Sequence, residues 1–321
     1  MDVKDRKILY ELSKNSRLSA SQIAKKVGVS KDAVIYRMEN LEKLGIIQKY
    51  MTVVNLRKLN YRTHILFLEF RKFDLETEKK ILDFLVNHPY SIWVASPSGR
   101  WDIIVDIISN DIDQFDENLS GIINQLGENL KHYEFLETVR EYYYNHKYLT
   151  NQNIKESSSK SIEYNLDETD CAILKELSQN SRTNSTDIAK KINVSHDQVS
   201  YRIKKLTKSK IIEQFTVSLD FSKLNYSYYY LFLKLNNLTK TTENKLITFL
   251  KSQKEVLFFG KNAGKFNFNV DVIVENPLQL KLFFNKLREY FGDFLESREN
   301  ILMFEQRKNN YFPEGILKDL S

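Results

Sequence analysis

The stretch from Ser19 to Arg37 reads SASQIAKKVGVSKDAVIYR. Ile23 and Val27 fall at helical spacing, and Val34, Met38 and Leu41 do so again after Gly28-Val29-Ser30. Gly28 suits the left-handed residue that ends a helix, and Ser30 suits the cap that starts the next. Ile8, Leu9 and Leu12 mark a helix before these, so residues 2–45 read as three short helices, the last two joined by a tight turn. That is a helix-turn-helix. Its spacing makes sense as docking geometry: the second helix of the pair projects its N-terminal residues toward base edges while the first braces it over the backbone. Leu44-Gly45-Ile46-Ile47 closes the third helix, and Gln48 to Val54 reads as a small β wing.

The same pattern returns 165 positions later. Ile23-Ala24-Lys25-Lys26 maps onto Ile188-Ala189-Lys190-Lys191, Tyr36-Arg37 onto Tyr201-Arg202, and Leu59-Asn60-Tyr61 onto Leu224-Asn225-Tyr226. About 28 of the first 61 positions are identical without a gap, so the chain encodes one unit twice. Identity thins further along, yet Gly99 still meets Gly264 and Asp106 meets Asp271.

From His64 the period shifts. Ile65, Phe67 and Glu69 alternate with Leu66, Leu68 and Phe70 as in a strand; Glu76 to Val86 is helical; Ile92 to Ile108 reads as two strands joined around Ser98-Gly99; Phe115 to Leu130 is an amphipathic helix and Tyr133 to Tyr144 a last strand. The order β-α-β-β-α-β predicts a ferredoxin-like antiparallel sheet with both helices on one face, the other face awaiting a partner sheet. The second copy repeats it from Tyr230 through Phe304. The expected class is thus α+β, with winged helix-turn-helix domains at 1–61 and 166–226, ferredoxin-like domains at 62–149 and 227–321, and a polar linker over 150–165.

Composition narrows the chemistry. The 321 residues carry 48 Lys+Arg against 42 Asp+Glu, a net charge of +6, and this charge is segregated. Residues 1–61 hold about seven more bases than acids, whereas 62–155 hold about five more acids than bases. The second head is only about two positive, but its recognition helix clusters Arg202, Lys204, Lys205, Lys208 and Lys210. A single cysteine, Cys171, excludes an internal disulfide framework and a cysteine-based zinc site. Neither GxGxxG nor GxxxxGK[ST] occurs, and no metal or cofactor is expected. No apolar run approaches the roughly 20 residues that span a bilayer, and the start does not read as a signal peptide, so a cytoplasmic protein without membrane contact is expected.

Double-stranded DNA is the expected partner. Lys31, Tyr36 and Arg37 in the first copy, and His196, Gln198, Ser200, Tyr201 and Arg202 in the second, lie in the first turns of the recognition helices, behind the caps Ser30 and Ser195, with Lys205 one turn on. Arg pairs bidentately with guanine, Gln with adenine, and Ser or Lys binds phosphate. The plainer alternative is a solvated helix face, with the tyrosines as packing aromatics.

Asp2-x-x-Asp5 and its repeat, Asn-Ser-Arg, Ile-Ala-Lys-Lys, Val-Ser, Tyr-Arg-Met/Ile and Ile-Ile together resemble the Lrp/AsnC transcriptional regulators. The resemblance implies a helix-turn-helix head followed by a ferredoxin-like sensing (RAM) domain that self-associates; two units in one chain imply a built-in dimer. It also implies a small-molecule effector such as an amino acid near the hairpin at Ser98, Gly99 and Asp102, matched by Gly264 and Asn267 in the second copy. The competing reading of those glycines is that they serve only the hairpin backbone. A second resemblance is enzymatic. Sirohaem decarboxylases share this domain order and use a stretch like His-x-Tyr-x-Arg, where this chain has His88-Pro89-Tyr90-Ser91-Ile92 and, in copy two, Ser252 to Leu257 without histidine. His88 reads better as a loop residue before Pro89, and the regulator reading is preferred.

Overall fold

The computed structural model describes residues 1–150 and 164–320, so the expected linker over 150–165 lies almost wholly outside the described residues. The first copy runs α1 (Val3–Lys14), α2 (Ala20–Val27), α3 (Lys31–Lys43), β1 (Ile47–Val54), β2 (Arg62–Phe70), α4 (Leu75–Asn87), β3 (Ser91–Pro97), β4 (Ile103–Ser109), α5 (Ile112–Leu126) and β5 (Leu130–Tyr143). The second repeats this as α6 (Glu168–Gln179), α7 (Ser185–Ile192), α8 (His196–Lys208), β6 (Ile212–Leu219), β7 (Ser227–Leu235), α9 (Lys240–Ser252), β8 (Val256–Ala263), β9 (Phe268–Val274), α10 (Pro277–Phe291) and β10 (Leu295–Asn309), and α11 (Glu314–Leu320) follows.

The chain forms two compact units, each drawn from both copies. One holds the two helix-turn-helix heads together with the residues from Asn310 onward, which the sequence pattern groups with the second sensing domain; the other holds Tyr61 to the start of the linker and Asn225–Asn309.

In the head unit the local signals act as read. Ser19 caps α2 in a capping box with Gln22, and Gly28 ends it at φ 73°. Asn193 takes the place of that glycine at φ 55°, a left-handed conformation asparagine tolerates. The expected wing strand forms, and its partner lies in the other copy. β1 does not fold back within its own head but pairs antiparallel with β6 of the other copy, Met51 opposite Thr216 and Val53 opposite Gln214. Both strands are buried over consecutive residues, Met51, Thr52, Val53 and Val54 on β1 with Phe215, Thr216 and Val217 on β6, so pairing across the repeat gives each strand the partner that its short length cannot find locally.

In the second unit each copy forms the expected four-stranded antiparallel sheet, and the two sheets join edge to edge in a closed barrel of order β10-β3-β4-β2-β5-β8-β9-β7. The joints are β5 with β8 and β10 with β3, so closure pairs the outer strands of both sheets. The sheets of the two copies are thus joined to each other within one chain. Outward residues Leu66, Leu68, Val94, Ile103, Val105 and Ile107 pack under α4 and α5 through Ile81, Leu85, Phe115 and Ile122. Leu231, Leu233, Val256, Phe259, Val270 and Val272 do the same under α9 and α10. Boundaries shift by a few residues: α5 starts at Ile112 and stops at Leu126 rather than Leu130, because Gly127 breaks it at φ 54°, and β5 begins at Leu130 rather than Tyr133.

Candidate nucleic-acid interface

The two heads meet on a pseudo-twofold axis. Ser16 Oγ and Ser181 Oγ, equivalent residues, lie 2.6 Å apart and buried. Around them Arg17 Nη1 donates to the carbonyls of Ser181 (2.5 Å) and Thr183 (2.8 Å), and Arg182 Nη1 returns the bonds to Ser16 and Leu18. Burial and the like charge of Arg182 lower the pKa of Arg17, yet each guanidinium satisfies turn carbonyls that would otherwise be orphaned. Thr52 Oγ1 donates to the Leu177 carbonyl (2.7 Å) and Thr216 Oγ1 to that of Ser13 (3.0 Å), tying each strand to the opposite copy's first helix. The recognition helices are therefore mounted on one cross-braced block.

On α3, Val34, Met38 and Leu41 are buried while Lys31, Asp32, Ile35, Tyr36, Glu39 and Asn40 face outward; on α8, Val199, Ile203 and Leu206 are buried while His196, Asp197, Gln198, Tyr201, Lys204, Lys205 and Lys208 are exposed. Tyr36 and Tyr201 are 71% and 59% exposed, so neither is the packing aromatic of the plainer reading. Lys205 Nζ sits 5.2 Å from the Tyr201 ring centroid, a cation–π pair on the outer face of α8. Ser200 Oγ lies 3.4 Å from His196 Nε2.

Several expected contacts are otherwise engaged. Ser30 and Ser195 spend their hydroxyls on the backbone N–H groups of Ala33 (3.1 Å) and Gln198 (3.2 Å). Gln198 Oε1 accepts from Ser195 N at 3.4 Å, which leaves the bidentate grip on adenine half-occupied. The arginines expected as base readers change most. Arg37 Nη1 donates to Asp2 Oδ2 (2.7 Å) and Asp5 Oδ1 (2.6 Å) at the start of α1. Arg202 Nη1 reaches Asp167 Oδ2 (2.6 Å) and Asp170 Oδ1 (2.9 Å) in the same way. The Asp5 backbone N–H and the Arg37 guanidinium together hold the Asp2 carboxyl below its usual range, and the paired aspartates raise Arg202. Arg37 and Arg202 are staples from recognition helix to first helix. The repeated Asp-x-x-Asp is the visible signal for this, and Arg17 and Arg182, legible only as an identical Asn-Ser-Arg, carry the role sequence reasoning missed.

The hairpin residues also bond to neighbouring backbone. Asp102 Oδ2 accepts from Phe70 N (2.8 Å) and Asp102 N donates to Leu68 O (2.9 Å), closing the ends of β4 and β2. Asn267 clamps Leu235 from both sides, Oδ1 accepting from its N–H (2.9 Å) and Nδ2 donating to its carbonyl (2.6 Å). Loss of the acid in copy two therefore costs no backbone pairing. Ser98 Oγ accepts from Leu302 N at 3.2 Å, Gly99 takes φ 98°, and Gly264 takes φ 129° where a Cβ would meet Leu136 Cδ2 at 2.7 Å. His88 caps the end of α4, its Nδ1 accepting from Tyr90 N at 3.3 Å, in keeping with a loop residue.

Residues 1–48 match the description "winged helix-turn-helix DNA-binding" and residues 166–207 match "AsnC-type helix-turn-helix domain". An uncharacterized HTH-type transcriptional regulator of Pyrococcus furiosus is 32% identical over 127 residues, covering 39% of this chain and 84% of that protein. The chain belongs to the Lrp/AsnC family of transcriptional regulators. The proline dehydrogenase transcriptional activator of Rhodobacter capsulatus is 30% identical over 124 residues, 36% of this chain and 75% of that protein. Relatives of this length match one copy of the Lrp/AsnC unit, in accord with a tandem duplication. Among solved structures, the siroheme decarboxylase NirDL covers 99% of this chain and 97% of its own at TM-score 0.59 and 13% identity, a likeness of fold. This regulator's helix-turn-helix heads mark it as DNA-binding. No helix among the described residues is long and apolar enough to cross a membrane.

Proposed function

We propose that the chain is a non-catalytic regulator that binds duplex DNA with both heads at once, as a dimer written into one polypeptide. The observation that carries this is the buried Ser16–Ser181 contact with its reciprocal arginine clasp, which holds two outward-facing recognition helices on one block. α8, with Lys204, Lys205 and Lys208 exposed, supplies most of the phosphate attraction; α3, where Asp32 and Glu39 offset Lys31, reads a different half-site. Tyr36, Lys31, Tyr201 and His196 are the residues proposed to face the bases. Selection of bound fragments from random DNA by the full chain tests this: two unlike half-sites at one spacing are expected, and a perfect palindrome or a single short site contradicts the asymmetry. Incubation with siroheme is expected to release no carbon dioxide.

A further inference from the structure

Lys205 is exposed on α8, and two aromatic rings converge on its ammonium. Nζ is 5.2 Å from the centroid of the Tyr201 ring and 5.2 Å from that of the Tyr164 ring. The Tyr201 contact is local, since residues four apart on a helix share a face. Tyr164 comes from outside the helix, in the stretch before α6, and it is fastened there. Its Oη donates to Asp170 Oδ2 at 2.7 Å, and Asp170 Oδ1 lies 2.9 Å from Arg202 Nη1 on α8. Asp170 is fully buried, so the hydroxyl answers a carboxylate without access to water. Burial and that carboxylate push the Tyr164 hydroxyl up to about 12, so it stays a protonated donor at neutral pH.

The first head differs at this point. Asn40 stands where the second copy has Lys205, although Asp5, Tyr36 and Arg37 match Asp170, Tyr201 and Arg202. The arginine staple is common to both heads, whereas the lysine at this position is the second copy's own. A lysine ammonium rides on a flexible stem and loses much rotamer freedom when it grips a phosphate. Rings on two sides restrict that stem beforehand, and the exposure of Lys205 leaves N–H donors for a phosphate oxygen. Preorganisation of this kind raises affinity without adding a contact to the ligand.

We propose that Tyr164 is a positioning residue of the second head: with Tyr201 it holds the Lys205 ammonium ready for a DNA phosphate, so a residue just ahead of α6 sets how tightly α8 binds. Tyr164 touches no base and acts through Lys205. The proposal rests on the reading that lysines of α8 meet the phosphates of duplex DNA.

A double-mutant cycle in DNA affinity tests it, with the full chain and a labelled duplex that the wild type selects from random DNA. Tyr164→Leu is expected to weaken binding about threefold, the scale of an exposed cation–π contact, and to have no effect once Lys205→Ala is in place. Tyr164→Phe keeps the ring and drops the hydroxyl. It is expected to bind more tightly than Tyr164→Leu, while both substitutions lower Tm through the lost bond to Asp170. Full affinity in Tyr164→Leu, a loss that persists in the Lys205→Ala background, or equal binding by Tyr164→Phe and Tyr164→Leu overturns the proposal and leaves the phosphate reading standing. Unchanged affinity in Lys205→Ala alone overturns the proposal together with the phosphate role of that lysine.

Discussion

Ser16 and Ser181 touch through their hydroxyls at 2.6 Å, buried at the point where the repeat folds onto itself. Flanking arginines answer one another across this point, each donating to two carbonyls of the opposite turn. Arg17→Ala strands the carbonyls of Ser181 and Thr183 and is expected to destabilise the head unit by about 2 kcal/mol, on the scale of hydrogen bonds from charged donors. Hydrogen exchange should show the loss in α1, α6, β1 and β6 and leave the barrel strands protected as before; uniform loss across both units would contradict it.

The two arginine staples are unequal. Asp5 keeps 16% of its side chain exposed, whereas the Asp170 side chain is at 0%. Arg202→Ala leaves a buried carboxylate uncompensated, although the Tyr164 hydroxyl still bonds it at 2.7 Å, and is expected to cost about 3 kcal/mol. Arg37→Ala breaks a pair nearer the surface and is expected to cost about 1 kcal/mol. Chemical denaturation of the two variants checks the order, and equal losses would remove the distinction.

Lysines on α8 should govern salt dependence. Replacing Lys204, Lys205 and Lys208 with Ala is expected to lower the slope of log K against log salt by about 0.9 for each phosphate left without its lysine. Titrations at several salt concentrations measure it; an unchanged slope would move the phosphate-binding surface elsewhere.

Barrel stability should respond to pH through the interior aspartates. Burial raises Asp271 to about 7, with the Tyr228 hydrogen bond opposing, and raises Asp106 as well. A carboxyl whose folded pKa exceeds its unfolded value binds more protons when folded, so its stabilising effect is complete below about 3.8 and is lost as pH rises through about 7. Surface carboxylates held low by partners, such as Glu69 beside Lys131 and Arg100, run the opposite way. The difference between wild type and Asp271→Asn isolates the interior contribution: the variant is expected to gain stability relative to wild type from about pH 4 to about pH 7, with the difference level above that. A constant difference would contradict it.

The hairpin clamp predicts an asymmetric tolerance. Asp102→Asn should change stability by less than about 1 kcal/mol, because Asn267 performs the same closure, while Asp102→Ala leaves the Phe70 N–H unpaired and should cost about 1–2 kcal/mol. Thermal melts of the pair decide it.

Helix periods, caps and the 165-residue repeat made the heads and the ferredoxin-like domains legible, since each depends on residues within one turn or strand of one another. Partnerships across the repeat were not. Gln48 to Val54 has the pattern of a strand, but no local signal says that its partner is β6 in the other copy. Arg37 stands in the right turn to read a base, and only its placement beside Asp2 and Asp5, more than thirty residues away, assigns it to bracing. Asp106 and Asp271 each look like a lone charge in a largely apolar strand. Closure of the barrel is what turns them inward together.

With both recognition helices braced on one block, a single chain is expected to present two heads at a fixed separation. Hydroxyl-radical footprinting of the full chain on its selected DNA, followed by insertion of about five base pairs between the protected tracts, tests it most directly, since that insertion turns one half-site about half a helical turn away. Two tracts protected by a single chain, and at least a tenfold loss of affinity on insertion, are the predicted result. Undiminished affinity, or a single tract, would contradict it.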